Sequence, residues 1–479
     1  MSENSRVVKA AGVVGAATLL SRILGFIRDA VIAWFFGAGL SSDAFIAAFR
    51  IPNLLRRLFA EGSLSSAFIP VFTQYIVRQG QPEALHLARS AFRLLSVLLI
   101  LVSIGGILLS PWIVRFVAPG FVADKYSLTV TLTRLMFPYI FFVGLVALCM
   151  GILNVLGHFA APALAPVLLN ISIIGSVLII SPSLSVPAVG LAVGVLIGGV
   201  LQLSIQLPVL LKNGFRFWEK AKFLHPGLKQ IGTLIPPVIL GGAVYQINIV
   251  ISTILGSLLE EGSVTYLYFA DRLVQFPLGV FAIAAATAVL PSLSRQAASE
   301  DFEALKVTFE HALKLVFFIS IPAMMGLIVL REPIVALLFQ RGEFDALATR
   351  LTAQALLYYS LGLWAFSAVR IVAATFFAMQ DTRTPVKMAG LSILVNIILG
   401  IFLMKPLGHG GLALATSLAS ILNLGLLVYA LKNKLGGLGW KSIARSFCKT
   451  LVSSIAMGLA AWAAGLVFLS EQYPTPVSY

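Results

Sequence analysis

The sequence predicts an all-α integral membrane protein: two six-helix bundles plus at least one extra C-terminal transmembrane helix. Three observations lead there. Of 479 residues, 59% are hydrophobic and only 11% charged, with a mean hydropathy of +0.97. No water-exposed surface tolerates that balance. Apolar runs of about 20 residues recur from end to end, each long enough to cross ~30 Å of hydrocarbon as a helix. The halves of the chain also resemble each other in order and spacing. The short alternating strands of a membrane barrel are not seen in the pattern.

Thirteen spans are read, over residues 7–36, 43–76, 88–117, 127–156, 160–181, 186–211, 229–256, 264–294, 306–331, 350–379, 386–404, 410–431 and 447–470. The first carries Arg22, Arg28 and Asp29, which no short uncharged signal-peptide core would, so it is expected to be a permanent span. Lys and Arg in the alternating connections divide eighteen to six in favour of the side that holds the N-terminus. The positive-inside rule therefore puts the N-terminus in the cytoplasm. That bias accounts for much of the net charge of +15, and no nucleic-acid partner is expected.

The repeat has an offset of about 221 residues: Ser66-Ala-Phe-Ile-Pro70 pairs with Thr287-Ala-Val-Leu-Pro291, Glu83 with Glu303, and Pro111 with Pro333. Pro162 and Asn170 then find partners in Pro385 and Asn396. Six spans separate the copies, an even number, so the repeat is parallel and its axis lies along the membrane normal. The expected divisions are 1–217 and 218–434 for the two bundles and 435–479 for the extra helix. Substrate is expected between the bundles, near mid-membrane.

Ionisable residues inside spans carry the functional signal. The first span holds Arg22, Arg28 and Asp29; the second holds Arg50, Arg56, Arg57 and Glu61, with Asp43 at its mouth; the eighth holds Asp271 and Arg272. A charge at a helix centre costs ~2.5–3.5 kcal/mol on insertion scales, so a set of six or seven facing lipid would cost roughly 20 kcal/mol. That exceeds the net stability of a typical domain. These groups are expected to face water or one another. At ~100° per residue, Asp43, Arg50, Arg57 and Glu61 share one face of the second helix. Arg57 and Glu61 stand one turn apart and are expected to form a structural or gating pair, with Asp43 and Asp271 in the same class. Arg28–Asp29 and Asp271–Arg272 are adjacent and are expected to face each other poorly. Arg22, Arg50 and Arg56 have no obvious local partner.

The sign of the charge points to the ligand. Arginine stays protonated and grips phosphate through two parallel hydrogen bonds, so the stripe suits a phosphate or diphosphate. A cation exporter needs unpaired carboxylates, and spans seven, eleven and twelve contain no Asp or Glu. Pro52, Pro70, Pro277 and Pro291 interrupt spans two and eight, allowing them to bend. His158 and His409 are placed in loops and His86, His225 and His311 are scattered, while Cys149 and Cys448 offer neither a disulfide framework nor metal spacing. No metal, cofactor or catalytic residue is expected.

The run Ser21-Arg-Ile-Leu-Gly-Phe-Ile-Arg28-Asp29, then Asp43-Ala-Phe and Pro52-Asn-Leu-Leu-Arg56-Arg57-Leu-Phe-Ala-Glu61-Gly, closely resembles the MurJ (MviN) family. Tyr268-Phe-Ala-Asp271-Arg272-Leu and Gln380-Asp-Thr-Arg-Thr-Pro385 are similar to it too, and the likeness runs from about residue 7 to 440. Members are lipid II flippases of the multidrug/oligosaccharidyl-lipid/polysaccharide exporter superfamily. The resemblance implies a flippase for the undecaprenyl-diphosphate-linked peptidoglycan precursor, working by alternating access in the bacterial inner membrane. A flippase for another polyprenyl-diphosphate glycan shares the same logic, and a cation-coupled drug exporter fits less well. By that likeness Arg22, Arg28, Arg56 and Arg272 occupy the positions of the family's diphosphate-binding arginines, with Asp29 beside them. Arg50 and Asn53 join the expected substrate-binding set. The family has fourteen spans, the last two forming a groove for the lipid tail, whereas thirteen are read here. Membrane lipids and a coupling ion complete the expected partners.

Overall fold

The computed structural model describes residues 3–58, 64–219, 223 and 225–470. Every regular element among them is helical, as a bilayer requires of chains whose backbone groups cannot turn to water. Packing divides the chain into two units. One runs up to Gly262 and takes in Arg341–Phe344; the other comprises Ser263–Gln340 and the residues from Asp345 onward.

In the first unit, α1 (Glu3–Phe36), α2 (Leu40–Leu58), α3 (Leu64–Gln79) and α4 (Gln81–Val117) are followed by α5 (Ala123–Met136), α6 (Tyr139–Val155) and α7 (Ala160–Gly175). Next come α8 (Ala188–Ser204), the short α9 (Leu207–Lys212) and α10 (Pro226–Ser257). With 37 residues, α4 is about 55 Å long and overshoots the ~30 Å of hydrocarbon. Lipid tails are as apolar as leucine, so these helices are held by close fit and buried hydrogen bonds. A Cβ at Gly198 would fall 2.6 Å from Leu169, and one at Gly194 2.8 Å from Ser176, which brings α8 tightly onto α7 and the turn that follows it. Ser172 Oγ donates to Gly194 O at 2.7 Å across that seam. A Cβ at Gly106 would lie 1.9 Å from the Phe137 ring, so glycine there lets Phe137 join a buried cluster with Leu99, Ile140 and Leu145.

The second unit contains α11 (Ser263–Pro277), α12 (Ile283–Ala298), α13 (Phe302–Val329), α14 (Arg331–Phe339), α15 (Ala346–Ser360), α16 (Leu363–Ala378), α17 (Arg383–Leu435) and α18 (Trp440–Ser470). Pro277 leads into a π-turn over Leu278–Ala282 before α12 begins. The 53 residues of α17 are two helices joined at a kink at Gly408, with φ 55° and ψ −136°, a region that a side chain would strain. Ser417 Oγ donates to Tyr358 O at 2.7 Å and Ser392 Oγ to Ala419 O at 2.7 Å, fastening α17 to α15 and its own two halves together.

Eight helices among the described residues are long and apolar enough to cross a membrane, or nine if α15 and α16, bent by 42°, make one span. The chain is a multi-pass membrane protein. His409, expected in a loop, lies within α17 just past the kink, where its Nε2 donates to Leu351 O at 2.8 Å. The helix resumes immediately after Gly408, so the loop between two expected spans shrinks to one sharp turn. The repeat landmarks Asn170 and Asn396 are both buried.

Candidate functional site

Arg28 and Asp29 sit in the C-terminal half of α1, and both are buried. Adjacent residues on a helix diverge by ~100°, which predicts poor contact. The structure corrects that: Arg28 Nε and Nη2 donate to Asp29 Oδ1 at 3.0 and 2.6 Å. The arginine stem is long enough to curl along the helix and lay its planar fork against the neighbouring carboxylate. Arg28 Nη1 donates to Asn170 Oδ1 on α7 at 3.0 Å, while Asn170 Nδ2 donates back to Ser21 O at 3.0 Å. One buried amide thus fixes both the guanidinium and the backbone of the helix that carries it. Asn170 drew attention in the sequence only as a repeat landmark; a polar residue amid the apolar Val167-Leu-Leu and Ile171 was the available signal. Arg22, two turns earlier on α1, is exposed.

On α2 the charges separate into two settings. Asp43 is buried, accepting from Lys125 Nζ at 2.6 Å and from Gly262 N at 2.8 Å. Lys125 also lies over the Phe121 ring at 4.4 Å. Nearby, Leu40 N donates to Glu261 Oε1 at 2.8 Å. Two turns along, Arg50 Nη1 donates to Ile249 O at 3.1 Å and to Thr253 Oγ1. Asp43 and Arg50 do share a face, and that face meets α10 and the residues just past it. Arg56 turns elsewhere: its Nε donates to Asn53 Oδ1 at 3.0 Å, one turn back. So Arg56 has a local partner that charge alone did not disclose. Arg57 is half-buried; Glu61, its expected partner, lies outside the described residues, so that pair is not described.

In the second unit, Arg272 Nε and Nη2 donate to Tyr268 Oη at 3.3 and 3.0 Å, one turn back on α11. Its guanidinium carbon stands 5.1 Å from the tyrosine ring centre, within cation–π range. Asp271 Oδ2 accepts from Gln275 Nε2 at 3.3 Å, so Asp271 and Arg272 each engage their own i±4 neighbour. Tyr268 was legible only as part of a motif. Among the described residues, no group of three or more His, Cys, Asp or Glu could hold a metal ion.

These arginines are held by carboxylate, amide, carbonyl and hydroxyl groups of the chain itself. A family model described as "Lipid II flippase MurJ" matches residues 32–476. The chain belongs to the lipid II flippase MurJ family. The probable lipid II flippase MurJ of Vibrio cholerae serotype O1 is 40% identical over 433 residues, covering 88% of this chain and 82% of that protein. The lipid II flippase MurJ of Burkholderia cenocepacia is 38% identical over 433 residues, covering 88% and 83%. A solved structure of "Lipid II flippase MurJ, inward closed conformation" matches with a TM-score of 0.81 at 28% identity, over 96% of this chain and 98% of that one. An inward-facing multidrug resistance MATE transporter matches at 18% identity with a TM-score of 0.73, over 87% and 95%. At that identity the MATE match speaks to the fold alone, the architecture that MurJ proteins share.

Proposed function

We propose that the protein translocates lipid II, the undecaprenyl-diphosphate-linked peptidoglycan precursor, from the inner to the outer leaflet of the bacterial cytoplasmic membrane. Membership of the MurJ family carries this reading, and the arginine chemistry agrees with it. In it, Arg22, Arg28, Arg50, Arg56 and Arg272 attract and grip the diphosphate. Asp29 and Asn53 orient Arg28 and Arg56. Asp43, Arg57, Glu61 and Asp271 serve as gating or structural charges. The bundles 1–217 and 218–434 move against each other in alternating access, the helix of 435–479 stands outside them, thirteen spans cross the membrane and the N-terminus is cytoplasmic.

Transport of this kind needs no bond made or broken. The site must bind the diphosphate well enough to draw it from the headgroup region, and loosely enough to release it on the far side. Arginines already held by neighbouring side chains and carbonyls suit that balance, because their geometry is set before the ligand arrives. The test is depletion of the protein in living cells, followed by measuring which leaflet holds lipid II. Accumulation in the inner leaflet, reversed by re-expression, is the expected result. Unchanged transbilayer distribution at full depletion would overturn the proposal.

A further inference from the structure

The first unit contains a cavity of about 510 Å³ walled by α2, α4, α10 and Phe137. Its lining includes Leu54, Val102, Gly105, Phe116 and Phe137, and among the described residues Arg50 is the charged one on it. The polar and apolar parts are therefore sharply segregated. From Val102 to Phe116 the wall follows α4 for about 21 Å. Phe116 is 71% exposed and Leu109, also on the wall, 55%, so the cavity opens sideways onto the apolar surface of α4. Arg50 donates to Ile249 O and Thr253 Oγ1. Both bonds run to α10 and fix where this nitrogen of the guanidinium sits.

We propose that this cavity takes the head-proximal part of the substrate's polyprenyl chain while Arg50 contacts the attached diphosphate. The inference rests on the lipid II reading above and adds a chain subsite to it. A cation on the wall of an apolar slot matches a ligand that joins an anion directly to a long hydrocarbon. A bilayer phospholipid matches less well. Its phosphate stays in the headgroup layer, whereas Arg50 lies ten residues into α2, about 15 Å from the helix start. The volume sets how much chain enters. At the ~30 Å³ that a water-sized group occupies in a liquid, it holds roughly 17 carbons. That is about three isoprene units, and the rest of the chain leaves through the side opening into the bilayer.

Gly105 offers a direct way to close the site. A Cβ there meets nothing within 4 Å, so a large side chain enters open space instead of displacing the core. The experiment uses full-length protein in lipid nanodiscs and a C20 polyprenyl diphosphate carrying a diazirine on its chain. Label is expected in the 99–117 and 51–55 peptides of the wild type and should be competed by unlabelled polyprenyl diphosphate. It should fall at least fivefold in Gly105→Trp and in Val102→Trp, and persist in Gly105→Ala. Labelling that survives both tryptophan fillers in well-folded protein would overturn the chain site. So would equal labelling by a phosphatidylglycerol with the same diazirine chain that polyprenyl diphosphate fails to compete, which would assign the slot to bulk lipid. Lipid II translocation by the same wild-type protein in vesicles separates the two levels. Translocation with filler-insensitive labelling rejects this subsite alone, while absent translocation rejects the functional reading and the subsite with it.

Discussion

Arg28 in the first unit and Arg272 in the second bear the same charge in different surroundings. Arg28 is buried, and its three nitrogens meet a carboxylate and a carboxamide. Arg272 is half-buried and rests on a phenol, through its oxygen and its ring face. A buried guanidinium beside a carboxylate is part of the fold: removing one member strands the other's charge in a medium that cannot solvate it. A half-buried guanidinium resting on a phenol is less deeply desolvated, so its removal costs the fold less. One arginine should therefore matter to stability and transport together, and the other to transport with little effect on abundance.

The largest expected effect tests that division directly. Arg272→Ala should lower lipid II translocation by about 100-fold or more, the order lost with one preorganised charge-stabilising donor, at near-normal membrane abundance. Arg28→Ala should lose translocation and abundance together. Equal abundance of the two variants, read by quantitative immunoblot of membranes, would break the comparison. Lysine at either position should restore activity only in part, because an ammonium lacks the bidentate fork.

Next in size is Asp29→Asn, which leaves Arg28 buried without its counter-charge. A loss of about 3–5 kcal/mol is expected, visible as a lower unfolding temperature in detergent. Asp271→Asn, whose contact with Gln275 an amide can also make, should lose far less. A smaller effect is expected of Asn170→Ala, which removes the acceptor for Arg28 and the donor to Ser21 O. Leaving those groups unsatisfied costs about 1–3 kcal/mol, and Asn170→Asp should recover the Arg28 contact but not the bond to the carbonyl.

The smallest effect calibrates the series with a pair outside the membrane-spanning segments. Hydrogen bonds from Lys434 and from Thr384 hold the Asp381 carboxyl down at about 2, from an ordinary 3.8. A depressed carboxylate stabilises the fold above its unfolded pKa and loses that contribution as pH falls through the folded one. Asp381→Asn should thus unfold a few degrees below wild type at neutral pH, about 2–4 °C, with the gap closing between pH 4 and 2. A gap that widened on acidification would refute the assignment.

Legibility varied with the range of the interaction. The transmembrane class and the MurJ motif followed from composition and short runs, because hydrocarbon thickness and backbone satisfaction constrain each segment separately. The charged stripe on α2 was visible as periodicity, and Asp43 and Arg50 do share a face. What that face meets was not visible: Lys125 lies 82 residues from Asp43, and Thr253 203 residues from Arg50. No local pattern encodes such a meeting. Adjacency misled at Arg28–Asp29, since helical angles describe Cα–Cβ directions and a guanidinium ends several bonds away.

By itself, then, the sequence determined a helical membrane protein, the residues whose charge needs a purpose, and the family to which their motifs belong. Tertiary structure decided which groups each of those charges meets. It brought Asn170 to α1, turned Arg56 back to Asn53, and hollowed an apolar slot beside Arg50. The reason is physical. Desolvation by a bilayer acts on every residue of a span wherever its partners are, so it leaves a mark in composition. Compensation for that desolvation depends on which distant group arrives within 3 Å, and that is fixed only when the helices pack.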